Sequence, residues 1–306
     1  MLEPKPVGSL IFLPIGAASA IIGLLPWLIT GMRLPLQNLW ATAAPPAGMP
    51  IVLLPFSQYS ALLIVAMLLI GATIAGIVGR AMPARHPGPA LVALMGGVLI
   101  IQAIATVQTA VTVSKGLREG TASTIYLAAL VGGTVAAILL GVAVLALIAR
   151  APKAGAVIGV SIAAIAFSSW LSGLVFPING IVTASPLTTV LGQVVRYVPA
   201  VIIGVTIAWC GINTVGRVIA SIASLLLLWV GPTLVTAVSA AIGSRVLAQY
   251  PAEMLDYGVQ VFRSALGMPE LWLPTLALAI AVAVVGLVAL RTISKRSNAA
   301  LPLAPG

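Results

Sequence analysis

Long uncharged apolar runs recur along the chain, and they constrain its fold more than any other feature. Residues 90–113 and 124–148, for example, contain no Asp, Glu, Lys or Arg. Roughly 20 such residues form a helix that crosses the hydrocarbon layer of a bilayer. Only 7% of the residues are charged and 61% are apolar, whereas roughly a quarter are charged in a soluble domain. We therefore expect an all-α polytopic membrane protein.

The apolar runs predict about eight transmembrane helices. The sixth is the weakest, because only residues 197–210 are apolar without interruption, so this helix must begin inside the preceding loop or continue to Arg217. No charged residue is expected in the central part of any span. The predicted spans are residues 8–30, 59–78, 90–113, 124–148, 154–175, 197–210, 218–238 and 271–290.

The basic residues predict the orientation. With an even number of spans both termini lie on one side of the membrane, and nine of the 15 Lys and Arg residues fall on that side. These nine lie in short loops or flank spans, so the positive-inside rule predicts cytoplasmic termini. The abundance of Ala and Gly and the excess of Arg over Lys favour a bacterial inner membrane. Topology accounts for the net charge of +10, and nucleic acid is not an expected partner.

The two halves of the chain carry matching residues in the same order. Trp27 follows Gly16 by the same eleven residues that separate Trp170 from Gly159. An internal duplication explains this match, and coincidental resemblance between apolar helices is the alternative. Two copies of four spans each would run in the same direction, around an axis along the membrane normal. The expected four-helix repeats are residues 1–150 and 151–306.

Polar residues on the third and seventh spans are the candidate substrate path. Those on the third span recur at steps of four and three, which places them on one helical face. Two such faces at a central axis would suit a weakly polar or amphipathic molecule. The alternative is that they only hydrogen-bond neighbouring helices. The candidates are Gln102, Thr106 and Thr109, and at the aligned positions Trp229, Thr233 and Thr236.

Small residues at four-residue spacing are candidate helix-packing positions, because they let two backbones approach closely. They would form either an internal seam or a homodimer face. The positions are Gly133, Ala137 and Gly141 in the fourth span and Gly155 and Gly159 in the fifth.

Two outer loops are longer than a connection requires. Residues 31–57 contain five prolines and cannot form a continuous helix, so we expect them to lie on or dip into the outer interface. Residues 178–196 occupy the equivalent place in the second half, and the two loops together could cover a cleft.

Residues 251–266 predict an amphipathic helix on the outer surface. Pro251 suits a first turn and Gly267 follows the last turn, in agreement with helix-capping preferences. We expect this helix to lie in the headgroup plane. Its polar face carries Glu253, Asp256, Gln260 and Arg263.

The sequence carries no motif of a known catalytic or metal site, so we expect no enzyme activity, metal or cofactor. The leading hypothesis is a permease or flippase-like protein that moves a small or amphipathic molecule, such as a lipid, along the seam between two repeats. The rival hypothesis is a non-transporting subunit or assembly factor that binds a partner membrane protein or lipid.

Overall fold

The computed structural model describes residues 8–42, 45–82, 85–176, 185–244, 246–247 and 250–299, with side chains described as far as residue 293. Within these ranges the chain consists of helices joined by loops, with two isolated β-bridges and no strand. Seven of the described helices are long and apolar enough to cross a bilayer. The prediction of a helical multi-pass membrane protein is confirmed at this level.

Ten α-helices are numbered in chain order within the described residues. They are α1 (Phe12–Gly23), α2 (Leu25–Leu28), α3 (Ala61–Ala81), α4 (Pro87–Gly116), α5 (Thr121–Arg150), α6 (Lys153–Val175), α7 (Pro186–Cys210), α8 (Val215–Gly243), α9 (Pro251–Leu266) and α10 (Pro269–Ala299). Short 3₁₀ turns precede α1 and α3.

The first predicted span is not one continuous helix. The chain passes from α1 into α2 at Leu24, and α2 ends four residues later at Leu28. Pro26 explains the break, because its nitrogen has no hydrogen to donate and its ring crowds the carbonyl four residues earlier. The first apolar helix therefore covers only Ser9–Gly23. The described residues contain seven continuous candidate spans where eight were expected.

The sixth predicted span is longer than its apolar run. α7 begins at Pro186, and the Ser185 hydroxyl accepts a hydrogen bond from the Thr188 amide at 3.2 Å. This cap and the proline in the first turn are typical of a helix start. A start inside the preceding loop is thus confirmed, and the prediction of a loop over 178–196 is wrong from Pro186 onward. Residues 177–184 lie outside the described residues.

The helices pack as two bundles. α1, α3, α4 and α5 form the first bundle, and α6, α7, α8 and α10 form the second. In each bundle the first helix packs on the second and third, the second packs on the third and fourth, and the third packs on the fourth. α6 joins the bundles, because it also packs on α2, α3 and α5.

The two ends of the bundles differ in charge and in the segments that lie over them. We call the end that carries Arg80, Arg150, Lys153 and Arg217 the basic end, and the opposite end, with segment 31–57 and α9, the loop end. Every acidic residue of the described ranges belongs to the loop end, in the α4–α5 turn, in α9 or in the first turn of α10.

Segment 31–57 closes the loop end of the first bundle. The Oε1 of Gln108, on α4, accepts a hydrogen bond from the Leu53 amide at 3.0 Å. The Thr109 hydroxyl accepts one from the Leu54 amide at 2.9 Å. Non-helical backbone within a membrane protein is stable when such bonds are made inside the protein. The buried apolar side chains of the segment are Leu34, Met49, Val52, Leu54 and Phe56.

The amphipathic helix α9 has the predicted bounds and packs on α8. Gly258, in the middle of α9, lies beside Ala237 and Ala241 of α8. The indole of Trp272, at the start of α10, donates a hydrogen bond to the Leu266 carbonyl at 3.1 Å. α9 therefore runs back along α8 towards the start of α10.

Candidate functional site

The three polar residues predicted on the third span lie inside the first bundle, and all three are buried. The Nε2 of Gln102 donates to the Leu68 carbonyl of α3 at 2.8 Å. The Thr106 hydroxyl donates to the Gln102 carbonyl at 2.7 Å, and Thr109 binds the Leu54 amide as described above. The Gln102 and Thr109 bonds connect α4 with α3 and with segment 31–57, whereas the Thr106 bond lies within α4. The Oε1 of Gln102 has no partner among the described residues.

The aligned residues of α8 lie in the second bundle. The Thr233 hydroxyl donates to the Trp229 carbonyl at 3.1 Å, and the Thr236 hydroxyl donates to the Pro232 carbonyl at 2.9 Å. Thr233 is buried, Trp229 is half-buried and Thr236 is exposed. α4 packs on α1, α3 and α5, whereas α8 packs mainly on α6 and α9. The structure thus places the two predicted faces in different bundles.

Trp229 has an unsatisfied polar atom in the middle of a long helix. It lies fourteen residues from each end of α8. Its ring centroid is 5.5 Å from that of Trp272, with the planes tilted by 55°. Its Nε1 is buried and has no hydrogen-bond partner among the described residues. An unpaired buried N–H costs about 1–3 kcal/mol, so a ligand that accepts this hydrogen bond would recover that cost.

Arg196 lies within α7, ten residues after the helix begins and fourteen before it ends. It is an exception to the prediction that no charged residue occupies the central part of a span, because α7 begins earlier than its apolar run. The Nη2 of Arg196 donates to the Glu270 carbonyl at 2.8 Å and to the Leu271 carbonyl at 3.0 Å. Its Nη1 and Nε donors have no acceptor among the described residues.

These contacts define one site in the second bundle, beside the middle of α8 and the start of α10. We call it the Trp229 site and assign to it Arg196, Trp229, Thr233 and Trp272. Arg196 binds the carbonyls immediately before Trp272, and Trp272 contacts Trp229. The 3₁₀ turn before α3 packs on α8 and carries Gln58, whose buried Nε2 also lacks a partner among the described residues. Two unpaired N–H donors, one from each bundle, thus lie on elements that touch.

The predicted small-residue positions have different surroundings. A Cβ on Gly141 would lie 3.2 Å from the Ala72 Cβ of α3, and one on Gly159 would lie 3.0 Å from Ile148 of α5. A Cβ on Gly133 would meet nothing within 4 Å, and this residue is exposed. The positions that are buried or lie against a neighbouring residue are Ala137, Gly141, Gly155 and Gly159.

Three residues near this site were not predicted from the sequence: Arg196, Trp272 and Gln58. The helix-start signal at Ser185 and Pro186 would have placed Arg196 inside a helix. The roles of Trp272 and Gln58 depend on which helices pack together, and neither residue type nor spacing signals that.

The described residues contain no group of three His, Cys, Asp or Glu side chains that could hold a metal ion. Comparisons with family models, with curated proteins and with solved structures found no match. The function therefore has to be inferred from the residues of this chain.

Proposed function

We propose that the protein is a permease or flippase-like membrane protein that moves an amphipathic molecule, and that this molecule binds at the Trp229 site. The observation that carries the proposal is the buried indole N–H of Trp229, which has no acceptor among the described residues. Buried polar groups are nearly always hydrogen-bonded, so an unpaired one inside a helix bundle needs an explanation. An oxygen atom of a bound ligand provides one.

The chemistry of the site favours a ligand with an apolar body and an anionic or polar head. The rings of Trp229 and Trp272 offer apolar surface. The guanidinium of Arg196 uses only Nη2 in its bonds to α10, which leaves donors for a phosphate or carboxylate oxygen. An arginine within a span is by itself a reason to look for a functional site. A phospholipid has both parts.

α8 carries a bend point beside the site. Pro232 lies inside the helix and has no N–H, so the carbonyl four residues earlier loses its helical bond. Proline inside a helix is a common cause of kinks. Bending at this position would move the loop-end half of α8, with Thr233, relative to Trp229 and α6 while the basic end of α8 keeps its packing. Such a movement would carry a bound head group along the seam between the bundles.

We also propose that the two bundles are repeats of one four-helix unit. The support is that both bundles use the same five pairings of helices in the same chain order. The matched spacing of Trp27 and Trp170 from their preceding glycines is independent support. Four spans in each unit would give both copies the same direction in the membrane.

A non-transporting membrane subunit is the second candidate, and the exposure of α10 favours it. In the most apolar stretch of α10, 17% of the residues are buried, whereas 61% are buried in the corresponding stretch of α3. In the repeat, α10 corresponds to α5, which packs on α6. A partner membrane protein could take the equivalent place on α10, and a second copy of this chain could do the same.

We also propose that the basic end and both termini face the cytoplasm. The cations of the basic end lie in the terminal turns of the spans, beside short connections, which supports a cytoplasmic basic end and cytoplasmic termini in a bacterial inner membrane. No intrinsic catalysis is proposed.

The test is lipid flipping by the purified chain in vesicles of phosphatidylcholine and phosphatidylglycerol, followed with a fluorescent phosphatidylglycerol. We expect the wild-type protein to accelerate flipping. Arg196→Gln and Trp229→Ala should each slow it about tenfold or more, because each removes hydrogen bonds to the head group. Thr106→Val is the matched control within the first bundle and should leave the rate unchanged.

Flipping no faster than in protein-free vesicles would contradict the permease proposal. If the chain then co-purifies in mild detergent with another membrane protein, the second candidate is supported. Equal slowing by Thr106→Val would place the path in the first bundle instead.

A further inference from the structure

A cavity of about 300 Å³ opens at the basic end, between the ends of α1, α3, α4 and α5. Phe12, Leu91 and Leu94 contribute to its apolar part. Arg80 and Arg150 contribute two positive charges. The cavity is separate from the Trp229 site, because its lining comes from the first bundle, whereas the Trp229 site is formed by α7, α8 and α10. It therefore needs its own explanation.

Arg80 is fixed in place and still has donors to offer. Its Nη1 donates to the Ile148 carbonyl at 2.8 Å and to the Ala151 carbonyl at 3.0 Å, at the end of α5. The carbonyl end of a helix favours a cation, so these bonds position the guanidinium at little cost. Its Nη2 and Nε have no acceptor among the described residues. A planar group held in this way is well suited to bind phosphate oxygens.

The positive charges continue from the cavity onto the second bundle. The charged groups of Arg80 and Lys153 each lie 5.2 Å from the ring centroid of Trp209, on α7. A cation over an indole ring is favourable, but two cations near one ring repel each other. An anion bound beside them would remove this repulsion.

The protein supplies no such anion from its described residues. The acidic side chains of these ranges belong to the loop end. Arg150 forms no hydrogen bond with a described residue, and the contact of Lys153 is with the Trp209 ring. No described acidic side chain therefore neutralises the charges of Arg80, Arg150 and Lys153.

We propose that this cavity binds the head group of an anionic phospholipid. The phosphate would lie between Arg80, Arg150 and Lys153, and the glycerol and upper acyl carbons would occupy the apolar part beside Leu91. Basic pockets between helices on the cytoplasmic side are a recognised form of lipid site. Because Arg80 belongs to the first bundle and Lys153 to the second, the bound lipid joins the two. This inference does not depend on the proposed function.

The test uses the full-length protein in a neutral detergent and measures retention of phosphatidylglycerol by native mass spectrometry as lipid is titrated. One charge near an anionic lipid contributes about a fivefold change in affinity, so Arg150→Gln and Lys153→Gln should each weaken retention about fivefold and the double variant about thirtyfold. Arg80→Gln is avoided as the main variant, because it also removes the bonds to α5.

Two controls separate a site from general surface charge. Arg291→Gln removes an exposed charge from the basic half of α10, away from the cavity lining, and should leave retention unchanged. Leu91→Trp keeps every charge but fills the apolar part, and should weaken retention about as much as a single charge removal. Phosphatidylcholine should be retained far less than phosphatidylglycerol.

Three outcomes would overturn the inference. Equal loss in Arg291→Gln and Arg150→Gln would show diffuse attraction to the surface. No effect of Leu91→Trp would show that the cavity is not used. Displacement of the lipid by inorganic phosphate at the same concentration would show that the cations recognise a free anion, because phosphate has no apolar part to fill the cavity.

Discussion

The two bundles differ in how they hold a tryptophan indole. In the first bundle Trp27 is fully buried, and its Nε1 donates to the Val52 carbonyl of segment 31–57 at 2.7 Å. In the second bundle Trp229 contacts Trp272, and its Nε1 has no acceptor among the described residues. The same residue type is thus paired by the protein in one bundle and left unpaired in the other.

This difference separates a structural role from a binding role. The first bundle fills its loop end with its own chain. Gln108 and Thr109 accept hydrogen bonds from backbone amides of segment 31–57, and Trp27 donates one to the Val52 carbonyl, while the Gln58 Nε2 at the edge towards α8 stays unpaired among the described residues. A ligand there would have to displace bonds that stabilise the fold. The second bundle leaves an N–H donor and an arginine with free donors, so a ligand there gains bonds without breaking any.

The largest expected effect is on the stability of the first bundle. Phe56 is fully buried in segment 31–57, so Phe56→Ala should destabilise the protein by about 3–5 kcal/mol. Leu273→Ala on the exposed face of α10 is the control and should change stability by less than about 0.5 kcal/mol. Unfolding in detergent measures both. Equal losses would contradict the view that only the first loop end is sealed by its own chain.

The next effect concerns the bonds that hold segment 31–57 on α4. Gln108→Leu leaves the Leu53 amide and the Ile51 carbonyl unpaired and should cost about 1–3 kcal/mol. Hydrogen exchange at Leu53 should become faster. Thr106→Val removes a bond within α4 only and should leave that exchange unchanged. Unchanged exchange in Gln108→Leu would mean that other contacts hold the segment.

The sharpest form of the comparison is the same substitution in both bundles. Trp27→Phe removes the bond to Val52 and should cost about 1–2 kcal/mol in stability. Trp229→Phe removes an unpaired N–H together with its cost of about 1–3 kcal/mol, so stability should not fall, while lipid flipping becomes slower. A stability loss in Trp229→Phe as large as that in Trp27→Phe would show that the protein already pairs this indole.

The smallest expected effects are at the small residues of α5. Gly141→Ala brings a Cβ to 3.2 Å from Ala72, so α3 and α5 must separate slightly, at a cost of about 1 kcal/mol. Gly133→Ala meets open space and should be neutral or stabilising by up to about 1 kcal/mol. A destabilised Gly133→Ala variant that also loses a dimer in solution would identify this face as an interface between copies.

Sequence patterns predicted the elements better than their contacts. The bounds of α9 match the expectation, because proline and glycine mark its ends and its polar face is continuous. The start of α7 was predicted inside the preceding loop but not at a given residue, because the apolar run stops at Arg196 whereas the helix start is set by its cap at Ser185. A hydropathy profile locates apolar residues. It does not show that a helix extends into polar residues before its apolar run.

The candidate site was predictable only in part. Trp229 was identified because it aligns with Gln102 in the proposed duplication. Its neighbours Trp272 and Arg196 come from helices whose packing the sequence does not specify. The residues Gln102, Thr106 and Thr109 were expected on a shared axis, but the fold of segment 31–57 gives Thr109 a partner inside the first bundle.

A density map of the protein in lipid nanodiscs containing phosphatidylglycerol tests the central claim most directly. We predict elongated density against the rings of Trp229 and Trp272, with its polar end within hydrogen-bond distance of the Trp229 Nε1 and near Arg196. Density showing that a protein carbonyl accepts the Trp229 N–H, or that side chains of this chain occupy the space, would contradict the account.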